Sequence, residues 1–201
     1  MKLFCTPGSC SLSPHIILRE AGLDFTLENV DLAQKKTESG ADFLAITPKG
    51  QVPALLLDNG ALLTEGAVIV QYLADQVPGR KLLPPAGSLS RYHAIAWLNF
   101  IATELHQQFA PLFSAETPAA YQAICRQKLA KQFRYLAAEL KQQPFLLGNR
   151  FSVADAYLFT VLRWAKHVQF DLADYPPLAA YYQRIAARPA VDAALQAEGL
   201  L

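Results

Sequence analysis

Two cysteines near the beginning of the sequence are the first candidates for chemistry. Cys5 and Cys10 lie five positions apart in "FCTPGSC", with a Pro-Gly turn signal between them. The spacing fits a redox pair, half of a metal site, one reactive thiol beside an inert one, or packing. Cys10 opens a predicted helix, where free amides and the helix dipole lower a thiol pKa. We therefore take Cys10 as the candidate reactive thiol, with a small buried apolar cysteine as the alternative.

The other cysteines and the histidines show no metal-binding pattern. Cys5 falls within a predicted strand and Cys125 on the apolar face of a predicted helix, so packing is favoured for both. Zinc needs further converging ligands. The 4 histidines show no ligand spacing with the thiols: His15, His93, His106 and His167. We expect no metal site.

A proline and a glutamate mark a second candidate site. Val52-Pro53 stands at the entrance of a predicted strand, where a cis proline would turn the Val52 backbone toward a ligand, although most X-Pro bonds are trans. Glu65 and Gly66 fall in the first turn of the next predicted helix. The backbone amides of this turn could bind a carboxylate of a ligand, and the Glu65 side chain could bind an amine. Ordinary capping by Thr64 is the alternative.

A third group combines an amide, a hydroxyl and an imidazole. Asn99, Thr103 and His106 are spaced by four and three residues, which places them on one face of a predicted α-helix. Such a polar stripe is more often solvated surface. Its histidine could nevertheless change the pKa of a nearby thiol.

The first 80 residues have the pattern of a mixed sheet with helices. "MKLFCT" and "FTLENVDL" predict strands, with a helix from about Ser11 to Gly22 between them. Asn59-Gly60, flanked by "ALLLD" and "ALLT", predicts a hairpin with positive φ at both turn positions. A further helix follows, so the expected order is β-α-β-(α)-β-β-α.

The rest of the sequence is helical in pattern. "VPGRKLLPPAGSLS" is rich in Pro, Gly and Ser, and we place a linker at 81–87 between a domain at 1–80 and a helical domain at 88–201. One helical face has apolar residues at helical spacing: Cys125, Leu129, Phe133, Leu136 and Leu140. A last helix is predicted at roughly 177–188.

Composition limits the partners and the compartment. The 201 residues include 18 basic and 17 acidic side chains, a balance without the basic footprint that nucleic acid or an anionic membrane requires. No stretch approaches the roughly 18 apolar residues of a membrane-spanning helix, and the first residues lack a secretory signal. An odd number of cysteines, 3, fits a reducing compartment. We expect a cytoplasmic protein without nucleic-acid or membrane partners.

Taken together, these segments closely resemble the bacterial beta-class glutathione transferases. The resemblance rests on "SCS" at the first helix, "GQVPALLLDNGALLTEGAVIVQYLAD", the linker and "SVADAYLF", and it covers the whole chain. It implies an α/β thioredoxin-like N-terminal domain, a βαβ-ββα mixed sheet, followed by an all-α C-terminal helical-bundle domain.

The resemblance also implies how glutathione would bind. Val52, before a cis Pro53, would pair its main chain with the cysteinyl unit, and Glu65 with Gly66 would hold the γ-glutamyl group. Many family members have Ser at Gly66, so one hydroxyl contact is missing here. The implied binding set is Cys10, Lys35 (to the glycyl carboxylate), Gln51, Val52, Pro53, Glu65, Gly66, Asn99, Thr103, Glu104 and His106. Glutathione is then a co-substrate, and no tightly bound cofactor is expected.

The implied catalytic residues are Cys10 and His106. Position 5, usually Tyr in this class, is Cys5, so no tyrosine hydroxyl can activate the thiolate there. The implied hydrophobic substrate site consists of Phe109, Leu112, Phe113 and Trp164. Ser152 and Asp155 fit an N-capping box, so we expect them to be structural.

The implied activity is attack of glutathione thiolate on a hydrophobic electrophile, for detoxification, with thiol-disulfide side activity through Cys10. One alternative is a glutaredoxin-like glutathione-dependent thiol-disulfide oxidoreductase. Another is a non-enzymatic protein that carries ligands or associates with other proteins. The family forms homodimers, which we also expect here. The physiological electrophile, and whether Cys5 and Cys10 can form a bond, stay open.

Overall fold

The computed structural model describes residues 1–201 and divides them into two compact units. The first unit consists of Met1–Lys81 with Arg188–Leu201, and the second of Leu82–Ala187. The chain passes from the first unit to the second between Lys81 and Leu82, and the linker at 81–87 stays a prediction. The assignment of Arg188–Leu201, here called the returning segment, differs from the predicted helical domain at 88–201.

The first unit contains a mixed sheet of five strands in the order β3-β2-β1-β4-β5. The strands are β1 (Lys2–Cys5), β2 (Thr26–Asp31), β3 (Lys36–Thr37), β4 (Ala54–Leu56) and β5 (Leu62–Thr64). Strand β1 pairs in parallel with β2 and antiparallel with β4. The predicted mixed sheet is confirmed.

Three helices of this unit follow the strands in the predicted order: α1 (Leu12–Ala21), α2 (Phe43–Ile46) and α3 (Gly66–Gln76). Helix α1 ends as predicted at Gly22, whose φ of 67° provides the left-handed cap and whose amide donates to the carbonyls of Arg19 and Leu18. Helices α1 and α3 pack against each other. The residue Cys10 therefore lies between the end of β1 and the first turn of α1.

The predicted hairpin forms, but its turn is of another kind. The amide of Leu57 donates to the Ala61 carbonyl at 2.8 Å, and the amide of Gly60 donates to the Leu57 carbonyl at 3.0 Å. Gly60 has a φ of 84°, whereas Asn59 is not among the residues with positive φ. The prediction of positive φ at both turn positions was wrong, because this three-residue loop needs the left-handed conformation only at its last residue.

The second unit is entirely helical, as predicted. Its α-helices are α4 (Leu89–Phe100), α5 (Gln107–Phe113), α6 (Ala119–Gln142), α7 (Val153–Leu162) and α8 (Pro176–Ala186). The predicted apolar face of α6 is buried along its whole length. Every residue of α7 is buried, which makes α7 the centre of this unit. None of the chain's helices is long and apolar enough to cross a bilayer.

A buried carboxylate fixes the start of α7. Ser152 and Asp155 form a capping box, in which Asp155 Oδ2 accepts from the Ser152 amide at 2.8 Å and from the Ser152 hydroxyl at 2.7 Å. Asp155 Oδ1 accepts from the Leu146 amide at 2.9 Å and from the Tyr181 hydroxyl at 3.0 Å. Asp155 is 0% exposed. These two residues fix the first turn of α7 and join it to Leu146 and Tyr181.

The returning segment forms one more helix, α9 (Pro189–Ala197), which packs against α1. Arg188 pairs with Glu20 of α1 through contacts of 2.6 and 3.0 Å. Pro189 occupies the first position of α9, where its missing amide is harmless. The sequence analysis did not predict this helix, since it ended the last helix at 188.

Candidate functional site

The loop from Thr6 to Ser11 holds Cys10 through hydrogen bonds of its own. The Ser9 amide donates to the Thr6 carbonyl at 3.1 Å. The Ser11 hydroxyl accepts from the Thr6 amide at 3.1 Å and donates to the Thr6 carbonyl at 3.2 Å. These bonds curl the chain between β1 and α1 and place Cys10 just before the helix.

The Cys10 thiol lies beside the backbone of Val52. Its Sγ donates to the Val52 carbonyl oxygen at 3.2 Å, which brings together two residues that the sequence analysis selected separately. Burial raises the pKa of Cys10 to about 11; the nearby amides of Cys10 and Ser11 lower it, and the Glu65 carboxylate raises it further. The predicted lowering of this pKa was therefore wrong: the helix N-terminus acts in the expected direction, but desolvation outweighs it. At neutral pH, Cys10 is an S–H donor.

The peptide bond between Val52 and Pro53 is cis. Val52 precedes β4, whose pairing with β1 begins at Ala54, so the main chain of Val52 lies outside the ladder. A Cβ added at Gly66 would meet Pro53 Cγ at 3.5 Å, an ordinary van der Waals distance. A serine at position 66, as many family members have, would therefore not clash with Pro53.

Glu65 occupies a special backbone position at the start of α3. Its φ of 69° lies where side chains other than glycine are rarely found. Its carboxylate is 2.5 Å from the Lys49 ammonium. Its carbonyl accepts the amides of Val68 and Ile69, which leaves the Gly66 amide at the open N-terminus of the helix. Thr64 does not cap this helix, since no side chain does so.

Lys35 folds back onto the loop before Val52. Its Nζ donates to the Gly50 carbonyl at 2.9 Å, and its φ is 55°. Gln51 is exposed next to that carbonyl. The first unit thus brings Cys10, Val52 and Glu65 together, and it places Lys35 and Gln51 on the adjoining loop.

Cys5 fits the packing interpretation. It is 0% exposed, and its Sγ donates weakly toward the Glu28 carbonyl and Asn29 Oδ1, at 3.8 and 3.5 Å. Burial, reinforced by nearby carboxylates, raises the pKa of Cys5 to about 12. Cys5, Cys10 and Cys125 are all free thiols, and Cys5 is an inert one.

In the second unit, His106 packs against the aromatic residues Tyr157 and Trp164. Its Nδ1 is 2.8 Å from the Tyr157 hydroxyl, and its ring meets that of Trp164 edge to face at 4.8 Å. Burial lowers the pKa of His106, so its imidazole is neutral at neutral pH and can donate from only one nitrogen.

The polar residues before His106 lie on a distorted helix. Residues Ile101–His106 form a π-helical segment between α4 and α5, so the four-and-three spacing of an α-helix does not describe them. Asn99, Thr103 and Glu104 are exposed, whereas His106 is half-buried. The Thr103 hydroxyl donates to the Asn99 carbonyl at 3.1 Å. No pattern in the residues signalled this change of helix type.

Three of the four predicted hydrophobic-site residues touch one another. The ring of Trp164 lies 5.7 Å from that of Phe109 and 5.9 Å from that of Phe113. Phe109 is buried, Phe113 is 52% exposed, and Leu112 is half-buried. The cluster therefore has one exposed aromatic ring.

Sequence reasoning missed two contacting residues. Lys49 pairs with Glu65, and Tyr157 contacts His106. Lys49 sits next to the selected "GQVP" stretch, so its charge was a usable signal. Tyr157 is one of many aromatic residues in a buried helix, and nothing in the sequence distinguishes it.

Comparison with known proteins gives the family. The glutathione S-transferase N-terminal domain model matches residues 8–76, and the C-terminal domain model matches residues 93–189. The chain is 57% identical over 200 residues to glutathione S-transferase GstA of Escherichia coli O157:H7, covering 100% of both. This chain belongs to the glutathione S-transferase family.

Solved structures agree with that assignment. A sphingomonad glutathione S-transferase complexed with glutathione is 49% identical with a TM-score of 0.97, covering 100% of both chains. A beta-class glutathione S-transferase of Sphingomonas chungbukensis is 47% identical with a TM-score of 0.97, again over 100% of both. The resemblance to the bacterial beta-class glutathione S-transferases, and the fold it implied, are confirmed.

Proposed function

We propose that this chain is a glutathione transferase that holds glutathione as an extended peptide on its first unit and directs the thiolate at a hydrophobic electrophile. One observation carries the proposal: Cys10 Sγ lies 3.2 Å from the Val52 carbonyl oxygen, which brings the candidate thiol to the main chain beside the cis Pro53. Val52 can pair with the cysteinyl main chain of glutathione, and Cys10 can contact its thiol. Glu65 can bind the γ-glutamyl amine.

The γ-glutamyl end has a matching pair of groups. The Glu65 carboxylate suits an ammonium group, and the open amides at the start of α3 suit a carboxylate. In the free chain the Lys49 ammonium sits on Glu65 at 2.5 Å. The glutathione ammonium would therefore compete with Lys49 for this carboxylate.

The rest of the tripeptide would follow the loop toward Lys35. The Val52 main chain is outside the ladder and can pair with the cysteinyl unit by strand addition. Lys35 Nζ, now on the Gly50 carbonyl, can turn to the glycyl carboxylate. The neighbouring Gln51 is exposed and within the same loop.

The sulfur chemistry requires a thiolate. A free thiol has a pKa of about 8.5, so glutathione needs stabilisation of its anion near neutral pH. Since Cys10 keeps its proton, its S–H can donate to the glutathione thiolate. The sulfur lone pair then forms a C–S bond with the electrophile as the leaving group departs with its electrons. The catalytic role of His106 stays a prediction from the resemblance.

A second activity has one supporting observation, the half-buried position of Cys10, whose Sγ lies 3.2 Å from the Val52 carbonyl oxygen. Cys10 thiolate would attack the glutathione sulfur of a mixed disulfide, form a Cys10–glutathione disulfide and release the other thiolate. A second glutathione thiolate would then release glutathione disulfide and regenerate Cys10. A thiol with a pKa of about 11 is seldom ionised, so we propose conjugation as the main activity.

The test compares conjugation of an aromatic halide with reduction of a glutathione mixed disulfide, using the same protein, Cys10→Ala and Glu65→Gln. We expect conjugation to dominate, and Glu65→Gln to raise the KM for glutathione by about 10-fold or more, the value of a charged hydrogen bond. Dominant disulfide reduction, lost in Cys10→Ala, would establish the oxidoreductase instead. No glutathione binding at millimolar concentration would favour the non-enzymatic alternative.

We also infer a homodimer and a cytoplasmic location. Helix α4 exposes Leu89 and Tyr92 at 71% and 60%, and helix α3 exposes Val68 at 45%; exposed apolar residues of this size suit a protein contact. Three free cysteines suit a reducing compartment. Sedimentation equilibrium tests the dimer, and a monomer at micromolar concentration would contradict it.

A further inference from the structure

The hydroxyl of Tyr157 contacts the imidazole of His106 in the second unit. Its oxygen lies 2.8 Å from His106 Nδ1. The two rings also meet edge to face, with their centroids 6.0 Å apart and their planes at 85°. The ring of Trp164 packs against the same imidazole at 4.8 Å. Two aromatic rings and one hydrogen bond therefore hold the imidazole.

Tyr157 belongs to a rigid part of the second unit. It is 5% exposed and lies on α7, all of whose residues are buried. The start of α7 is fixed by Asp155, which lies two residues earlier and accepts four hydrogen bonds through its carboxylate. His106, in contrast, ends the π-helical segment Ile101–His106, a distortion that is frequent at functional sites. The regular helix thus supplies a fixed partner for a side chain on the distorted one.

The hydrogen bond between Tyr157 and His106 can form with either group as the donor. A neutral imidazole carries hydrogen on one nitrogen only, and burial favours this neutral form by lowering the pKa of His106. A phenol, with a reference pKa of about 10, is a stronger acid than the N–H of a neutral imidazole, and the bare imidazole nitrogen is a stronger base than a phenol oxygen. The favoured arrangement therefore has Tyr157 donating to Nδ1, with the imidazole hydrogen on Nε2.

The Nε2 atom of His106 is available to a ligand. It makes no hydrogen bond within the chain. The buried side-chain nitrogen and oxygen atoms that lack a partner are Ser13 Oγ and Gln108 Oε1, so Nε2 reaches the protein surface. An N–H group there can donate to an anion, whereas a bare nitrogen with its lone pair repels one.

We propose that Tyr157 is a positioning residue for His106: its hydroxyl binds Nδ1 and keeps the hydrogen on Nε2, so that His106 presents an N–H donor to the glutathione thiolate. This inference rests on the proposed function, because the role of His106 at the thiolate is itself a prediction. Without the hydroxyl, both tautomers of the imidazole become accessible. Only part of the molecules then present the donor, and the thiolate loses part of its stabilisation.

A second tyrosine provides the matched control. The half-buried ring of Tyr182 stacks on that of Phe159, also a residue of α7, at 4.9 Å. Tyr182→Phe therefore removes a hydroxyl beside the same helix without removing a contact of His106. Tyr157→Phe removes the hydroxyl at Nδ1 and retains the ring that packs against the imidazole.

The experiment compares Tyr157→Phe, Tyr182→Phe, His106→Ala and the double variant Tyr157→Phe/His106→Ala in the full chain. Long-range proton–nitrogen NMR spectra of the ligand-free protein show which ring nitrogen of His106 carries hydrogen, and the His106→Ala spectrum assigns the signals. Steady-state kinetics with an aromatic halide gives kcat/KM for glutathione.

We expect the hydrogen on Nε2 in the unsubstituted chain and a mixture of tautomers in Tyr157→Phe. In that variant kcat/KM should be about 5-fold lower, the value of one neutral hydrogen bond. Tyr157→Phe should cause no further loss when His106 is already replaced, because its effect passes through the imidazole. Tyr182→Phe should change neither the spectrum of His106 nor the kinetics.

Three outcomes overturn the proposal. One is hydrogen on Nδ1 of His106 in the unsubstituted chain, a result that needs no variant to fold. Another is a Tyr157→Phe or His106→Ala protein whose kcat/KM equals that of the unsubstituted chain. The third is an equal loss from Tyr157→Phe with and without His106, which would mean that the hydroxyl acts on the fold alone. The spectra need no glutathione, so a chain without conjugation activity would refute the proposed function while they still test the bond to Tyr157.

Discussion

Glu65 has a proposed binding role and an unfavourable backbone conformation. Substitutions can separate the effect of its carboxylate from the effect of its backbone. Its φ of 69° costs about 1–3 kcal/mol for a residue with a side chain. Glycine avoids this cost but loses about 0.5–1 kcal/mol through the flexibility of the unfolded chain. Glu65→Gly also removes the exposed pair with Lys49, which is worth at most about 1 kcal/mol. We expect a net stabilisation of roughly 1 kcal/mol.

The matched control is Glu65→Ala, which removes the same carboxylate but retains a Cβ at positive φ. In a chain of this length, 1 kcal/mol corresponds to about 2–4 °C in Tm. Differential scanning fluorimetry should therefore place Glu65→Gly a few degrees above Glu65→Ala. Calorimetric titration should show that both variants bind glutathione about 10–100-fold more weakly, because each lacks the partner for the ammonium group.

Two results would refute this reasoning separately. If Glu65→Gly unfolds at or below the Tm of Glu65→Ala, the backbone at residue 65 is not strained in the protein. If both variants bind glutathione as tightly as the unsubstituted chain, Glu65 is not the ammonium partner. The first result leaves the binding site intact, and the second leaves the strain argument intact.

The remaining predictions concern stability and competition for the site. Asp155→Ala should lower the free energy of unfolding by about 3–5 kcal/mol, because it leaves several buried donors unpaired, whereas Ser152→Ala should cost about 1 kcal/mol; equal losses in chemical denaturation would contradict the central role of Asp155. Lys49→Ala should tighten glutathione binding by about 2-fold, since an exposed ion pair that competes with the ligand is worth under about 1 kcal/mol; weaker binding in titration would mean that Lys49 contacts glutathione itself.

Local patterns predicted much of this protein. The strand before Cys10, the glycine stop at Gly22 and the hairpin at Gly60 each follow from short-range preferences that tertiary packing did not override. The capping box at Ser152 and Asp155 is equally local. Cys10 and Val52 come into contact because β1, which ends before Cys10, pairs with β4, which begins after Val52, with Phe4 opposite Ala54.

The parts that were missed depend on distant contacts or on burial. The pKa of Cys10 was predicted with the wrong sign, since position at a helix N-terminus is visible in the sequence but desolvation is not. The π-helical segment Ile101–His106 has no composition signal. The bond between Gly8 and Glu198 joins residues 190 positions apart, and no spacing rule reaches that far.

The returning segment also determines the order in which the protein can be completed during synthesis. The ribosome makes Gly8 and Cys10 first, but Glu198 emerges 190 residues later. The sheet of residues 1–81 pairs only strands of that range, whereas α1 also packs against α9 of the returning segment. Until Glu198 is made, the Gly8 amide lacks its partner and α1 lacks the helix that packs on it. The thiol site of a nascent chain is therefore finished last, although its cysteine is among the first residues made.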